Sequence, residues 1–508
     1  MDDPDLDDVL KNLFQLKGIG PLLRQRWPWR LLHLAGLAVL LLMAAYGWHH
    51  HAVPGVKVKD PLMYTNLATS LFWVVWIMGV VFFALIGGRL WCTVCPLGWF
   101  TGLFTRIGLK RPLPRWLDNH VTVTLTLVAL QLGVYFFAIH RYPDYTARLL
   151  GLMLLLAIGC GLLFRRRAFC SLFCPAGAVF GLYARLAPLS LRVRDDDVCA
   201  GCSGKECVSG APFWSRFSLG SAIFFWKKER PDCPVGLAHD ELGQNPTCSL
   251  CLHCAQNCPY DNLDWGTRPW LSELFGARLK RSETFFFLVL LGMLTANFSK
   301  VYVDLRERIL WLPDQTAQLL GWGGGGYSLL AALWVTLGLP LLIMLPGLLL
   351  QQLLRLKREV MSDPTLAPAP PDSVDCGESL GARLGRLALP CVPMILAAHL
   401  VLAVVKLNAK LGYLPFAFRD PTGVKSYLAM NIMKTVPSPG VLIPLDILKW
   451  LVLGLLILGY VVSLRAASRL AAGVAAAERT PLLFASWLTV TLPALLYGAT
   501  VIRWLFIR

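Results

Sequence analysis

Charge is what this 508-residue sequence has least of. Only 16% of its residues are Asp, Glu, Lys or Arg, against 56% hydrophobic, a balance that excludes a soluble enzyme of this length. Acid is scarcer than base, with 31 Asp and Glu to 48 Lys and Arg. The net charge of +17 does not point to nucleic acid, because the basic residues gather at the ends of apolar stretches, where membrane proteins carry them. No C-x2-C-H motif for haem attachment occurs. The glycine run from Gly321 to Gly326 has no phosphate-loop context and is expected to be a flexible lead into a helix. The opening MDDPDLDDVLKNLFQ lacks the basic region and cleavage site of a secretory leader, so it is expected to remain as a cytoplasmic tail.

What is abundant is long apolar sequence. A helix crossing a hydrocarbon core of roughly 30 Å needs about 20 apolar residues. Nine stretches approach that length, near 31–48, 68–88, 121–139, 147–164, 284–302, 326–351, 389–408, 446–464 and 482–502. Lys11, Lys17, Arg24, Arg26 and Arg30 precede the first and set the N-terminus inside. Alternation then brings Arg106, Lys110, Arg111, Arg115, Arg165 to Arg167, Arg355, Lys357 and Arg358 inside as well, and leaves Arg508 outside. The expected fold is an all-α polytopic membrane protein of about nine transmembrane helices with a cytoplasmic insert between the fourth and fifth. Its expected parts are a tail at 1–30, two membrane hairpins at 31–182, the insert at 183–283 and a five-helix membrane region at 284–508. A Pro-rich stretch at 362–375 reads as a flexible cytoplasmic loop. Under this topology all 15 cysteines fall at or near the cytoplasmic side, which favours reduced thiols and metal ligation over disulfides.

The insert holds the densest cysteine pattern. Cys248, Cys251, Cys254 and Cys258-Pro259 follow C-x2-C-x2-C-x3-C-P, the run with which bacterial ferredoxins wrap cubane clusters, the last cysteine crossing to the other cluster in two-cluster proteins. A partner run stands upstream as Cys199, Cys202, Cys207 and a separate Cys233-Pro234. Crossing assigns Cys199, Cys202, Cys207 and Cys258 to one [4Fe–4S] cluster, and Cys248, Cys251, Cys254 and Cys233 to a second. Zinc accepts two C-x2-C pairs but fits this order poorly. His253, between ligands, is expected to hydrogen-bond near a cluster and tune its potential. The aromatic and basic segment 213–230 would either lie on a membrane surface or cover the ferredoxin core.

A second cysteine pattern is a duplication. Arg89-Leu-Trp-Cys92-Thr-Val-Cys95-Pro-Leu-Gly-Trp-Phe-Thr-Gly-Leu103 and Arg167-Ala-Phe-Cys170-Ser-Leu-Phe-Cys174-Pro-Ala-Gly-Ala-Val-Phe-Gly-Leu182 share R-x-aromatic-C-x2/3-C-P-x-G-x3-G-L. Each follows a span running from outside to inside, so spans one and two and spans three and four look like copies of one hairpin related by an axis along the membrane normal. Cys92, Cys95, Cys170 and Cys174 would then face one another and could hold a third centre: an iron–sulfur cluster, a mononuclear iron or copper. The alternative is four thiols at two helix ends, with Pro-Gly serving the turns.

These residues resemble the NapH/NosR-type membrane polyferredoxins, a family that also takes in the cytochrome oxidase assembly factor CcoG. Its pattern is four spans with C-x3-C-P after the second and fourth, then a pair of cytoplasmic [4Fe–4S] motifs. The resemblance covers about residues 31–265. Cys170 and Cys174 match as they stand, whereas Cys92 and Cys95 are one residue closer together. The resemblance implies electron transfer between the quinone pool and a redox protein partner, such as a multihaem cytochrome c or an iron–sulfur subunit, within a quinol dehydrogenase or other oxidoreductase of the bacterial inner membrane. The alternative it offers is a cofactor-assembly or copper-reducing factor of the CcoG kind. It does not account for the last five spans, and no outside segment is long enough for a NosR-like flavin domain. A redox-controlled transporter finds little support in those nearly uncharged spans.

Few ionisable residues lie in the apolar stretches, and each is a functional candidate for that reason. His399 and Lys406 in the seventh could bind a quinone headgroup or be a satisfied interior pair. His33 in the first, one turn from Arg30, is expected to be interfacial. His50, within the run His49 to His51, and His140 end two spans on the outside and could ligate a haem or take quinol protons, unless they are simply exposed. Tyr497-Gly-Ala-Thr500 resembles the tail of a flavinylation motif, but it lies within a span, where helix packing explains it.

Overall fold

The computed structural model describes residues 12–15, 18–114, 116–117, 119–210, 212–219, 222–229, 232–237, 246–275, 277–300, 303–361 and 379–507. The acidic opening residues and the Pro-rich loop at 362–375 lie outside the described residues.

All nine expected spans are helical. Eight are long and apolar enough to cross a membrane: α1 (Trp27–Gly47), α2 (Leu67–Gly87), α4 (Pro143–Leu163), α5 (Arg281–Ser299), α6 (Gly324–Arg358), α7 (Leu380–Arg419), α8 (Leu445–Ala472) and α9 (Glu478–Leu505). The other, α3 (His120–Phe136), is apolar but only 17 residues long. Proline and asparagine set several of the starts. Pro28 and Pro143 stand at the first helical positions of α1 and α4, where the missing N–H costs nothing, and the side chains of Asn66 and Asn119 accept the first free N–H groups of α2 and α3. Over Ser70–Trp76 the turns of α2 widen to π-helix.

Two expectations need correction. The glycine run is not all lead, because Gly324, Gly325 and Gly326 already belong to α6. Between α5 and α6 the chain forms a further helix, Val303–Leu319, whose Trp311 and Leu319 are exposed. Its charges and internal Pro313 kept it out of the count of spans.

Helix α7 is buried along most of its length, as is α5, and the two are central to the C-terminal half. Glu478 at the start of α9 ties that half together, receiving Arg355 of α6 at 2.7 Å and Arg386 of α7 at 2.9 Å. At the opposite membrane end, Asn66 Nδ2 donates to Thr422 O at 2.9 Å and Arg141 meets Asp60 at 3.0 Å. The polar insert closes through two antiparallel strands, β1 (Leu189–Val193) and β4 (Leu263–Thr267), with Leu191 opposite Trp265. The aromatic segment forms a hairpin, β2 (Pro212–Leu219) with β3 (Ala222–Glu229). The N-terminal segment lies on the insert: Asn12 bonds Asp264, and Arg26 Nη2 donates to Asn257 Oδ1 at 2.7 Å.

Gly47 marks the tightest crossing of the first four helices. A β-carbon there would stand 2.6 Å from Pro143 O and about as close as 3.0 Å to Ala68 Cβ. Gly47→Leu is expected to destabilise the protein by about 1–3 kcal/mol through overpacking, read as a lower thermal midpoint in detergent. An unchanged midpoint would show that α1 is not seated on α2 and α4 as described.

Candidate iron–sulfur sites

The two Cys-Pro motifs are built alike. In each, a short helix carries the first cysteine, Leu90–Val94 for Cys92 and Ala168–Leu172 for Cys170. The second cysteine is extended and caps a new helix whose first residue is the proline, Pro96–Phe104 after Cys95 and Pro175–Ala184 after Cys174. The extra residue of the second motif, Phe173, sits in the linker before Cys174, so the unequal spacing leaves the same helix–cysteine–helix order in both. Capping places the sulfur at a helix N-terminus, where free N–H groups and the helix dipole favour a thiolate. Burial pushes both the Cys95 and the Cys174 thiol up, and the amides of Gly98 and Leu97 at Cys95 and of Gly177 at Cys174 offset part of it.

The motifs face each other. A β-carbon on Gly98 of the first would lie 3.6 Å from the Cys170 sulfur of the second, and one on Gly177 would lie 3.4 Å from Arg89 Nη2 of the first. Arg89 and Arg167, the opening residues of the two repeats, are both buried. Arg167 Nη1 reaches Cys92 O at 3.4 Å. Burial pushes the Cys170 thiol up to about 12; Arg167 and Arg89 pull against this, while Cys95 and Cys92 add to it. Burial also works against the charge on Arg89, but the facing Cys92, Cys170 and Cys174 more than restore it.

The eight cysteines of the insert surround two cavities. Cys233, Cys248, Cys251 and Cys254 line one, together with His253 and Leu252. Cys199, Cys202, Cys207 and Cys258 line the other, with Lys205, Tyr260 and Asn262. Burial pushes Cys248 up to about 12 and Cys207 to about 11, so these bare thiols are protonated at neutral pH and iron must displace protons to bind. Among the described residues no three His, Cys, Asp or Glu side chains stand close enough to share one metal ion. A cubane cluster spreads its four thiolates around a cavity, and the donors present fit that demand. His253 is buried and neutral, its pKa lowered to about 3 by burial and then by Arg167.

The first cavity is fastened to the Cys-Pro site. Thr93 Oγ1, between Cys92 and Cys95, donates to Leu250 O at 2.9 Å. Arg89 Nη1 donates to Pro246 O at 2.8 Å and Thr247 O at 3.1 Å, just before Cys248. The Arg167 amide donates to Pro234 O, next to Cys233, at 2.8 Å. The second cavity lies farther out, among exposed Asp196 and Tyr260.

His33 is buried, stacks on Trp99 at 5.5 Å, and its Nε2 bonds Thr93 O at 2.8 Å, a role that hydropathy alone does not reveal. His399 meets Tyr183 of the helix after Cys174, Nδ1 to Oη at 3.1 Å, while Lys406 is two turns further along α7. His50 bonds Trp48 O two residues before it, and His140 lies against Trp73 at 6.1 Å. It is His51 that meets Asp144 at 2.9 Å and stacks on Tyr142 at 4.2 Å. Tyr497 packs on Phe298 and bonds Thr295.

The family model described as a 4Fe-4S binding domain matches twice, over residues 69–114 and 147–194, each match taking in one Cys-Pro motif and most of the span before it. The chain is similar to the "Methylamine utilization ferredoxin-type protein MauN" of Paracoccus denitrificans (strain Pd 1222), 31% identical over 192 residues, 35% of this chain and 63% of that one. It is also similar to the "Putative electron transport protein YccM" of Escherichia coli (strain K12), 25% identical over 196 residues, 33% of this chain and 47% of that one. The chain thus spans less than two thirds of either relative's length. No solved structure matches.

The crossing of Cys258 and Cys233 between cavities sets a test. Cys258→Ser is expected to remove the same EPR signal as Cys199→Ser, and the double variant to lose no more iron than either single one. Loss of the signal shared by Cys251→Ser would reverse the pairing.

Proposed function

We propose that this protein is a membrane-bound iron–sulfur electron carrier that passes electrons between the quinone pool and a redox protein partner, with two [4Fe–4S] clusters in the insert and a third centre at the Cys-Pro site. The relay runs from Cys92, Cys95, Cys170 and Cys174 to the cluster of Cys233, Cys248, Cys251 and Cys254, and then to the cluster of Cys199, Cys202, Cys207 and Cys258. The single observation that carries this order is the fastening of the Cys248 loop to the first Cys-Pro motif through Thr93 and Arg89. Bound clusters would supply the one-electron chemistry, while the chain supplies placement, burial and fixed charge. The names of the similar proteins, ferredoxin-type and electron transport, agree with this reading.

By the positive-inside rule the insert and N-terminus face the cytoplasm of a bacterial inner membrane and the C-terminus faces the periplasm. The quinone headgroup is read at His399, an intramembrane imidazole already paired with Tyr183. Periplasmic delivery to a cytochrome c would need a carrier across the remaining membrane thickness, so the partner is read on the cytoplasmic face, at the outer cluster. A copper-reducing role has less support, because among the described residues no ligand set suits a single ion.

Metal and acid-labile sulfide analysis with EPR on anaerobically purified protein, wild type beside Cys92→Ser/Cys170→Ser, tests the proposal. More than about eight irons per chain, falling in the variant while the ferredoxin signals persist, is the expected result. Equal iron in both proteins would reduce the relay to the two clusters of the insert.

A further inference from the structure

Arg89 and Arg167 are buried cations that, among the described residues, pair with no carboxylate. The described residues put no carboxylate within ion-pair reach of either guanidinium. Arg89 is met by backbone carbonyls and Arg167 by one, the Arg89 Nε finds no partner, and both residues are buried. A buried charge is costly unless compensated, so two of them at the same site imply negative charge there. What lies there is sulfur. A β-carbon on Gly98 would touch Arg167 Nη1 at 3.4 Å and Cys170 Sγ at 3.6 Å, and one on Gly177 would touch Arg89 Nη2 at 3.4 Å and Cys174 Sγ at 3.7 Å. Each guanidinium therefore lies between the two motifs, within reach of sulfurs of both: Arg89 of Cys92, Cys170 and Cys174, and Arg167 of Cys170 and Cys95.

We propose that Arg89 and Arg167 are the fixed counter-charges of the four-cysteine centre, shared between the repeats, and that they raise its reduction potential. The inference rests on the reading that Cys92, Cys95, Cys170 and Cys174 hold a centre. Four thiolates on an oxidised iron–sulfur core leave two negative charges, which the two arginines balance. Taking up one electron adds a third negative charge between two cations, so reduction is easier with them than without. Both arginines are positioning residues acting through charge, and neither is a ligand.

The test uses full-length protein purified anaerobically in detergent. Redox titration followed by EPR compares wild type with Arg89→Gln, Arg167→Gln, Arg89→Lys and Arg167→Lys. The midpoint of the signal that Cys92→Ser/Cys170→Ser abolishes is expected to fall in each Gln variant and to return most of the way in each Lys variant, with the Cys199 cluster unmoved as internal reference. An unshifted midpoint in Gln variants that keep their iron overturns the proposal. Where a Gln variant loses the centre altogether, the Lys variant decides: retention of the signal supports charge compensation, and equal loss in both overturns it in favour of a purely structural fastening. If no signal in the wild type depends on Cys92 and Cys170, it is the centre itself that fails, a result distinct from a midpoint that does not move.

Discussion

A buried thiolate needs positive charge beside it, and the membrane half of this protein is arranged to supply it. Proline after each second cysteine starts a helix at the sulfur, giving it free amides within its own motif, and the arginine that opens each repeat lies between the sulfurs of both. The first device works in one hairpin alone, whereas the second needs α1 and α2 set against α3 and α4. The insert depends on it in turn, since the loop around Cys248 is held by Arg89 and Thr93.

Much of this was legible in the sequence, and the reasons differ by element. The spans could be read because a hydrocarbon core imposes a length on apolar sequence. Even α3, short of that length at 17 residues, fell where an apolar stretch and a basic flank required a crossing. The two groups of four cysteines could be read because cluster ligation fixes ligand spacing more tightly than most chemistry does, and the cavities gather the cysteines that crossing assigned.

What stayed hidden was hidden by rules that are right on average. Arg89 and Arg167 stand at the inner ends of spans, where the positive-inside rule already explains an arginine, so their burial against sulfur left no trace. His33, one turn after Arg30, has as its partner a carbonyl sixty residues away in the chain, Thr93 O. His51, not His50, found Asp144 because the turn after α1 decides which of three adjacent imidazoles reaches it. The segment 213–230 had the composition of a surface-lying peptide, and what it shows is the backbone pairing of two strands, Pro212–Leu219 and Ala222–Glu229.

The two copies of the hairpin are not interchangeable in their surroundings. The first presents Thr93, between its cysteines, to Leu250 of the insert, while the second meets the insert through the Arg167 amide at Pro234 and also sets Tyr183 against His399 of the C-terminal half. Because both copies belong to one polypeptide, each position of the repeat occurs twice and can differ between them, so the four sulfurs sit in an asymmetric setting, with the cysteines of the insert on one flank and an imidazole on the other.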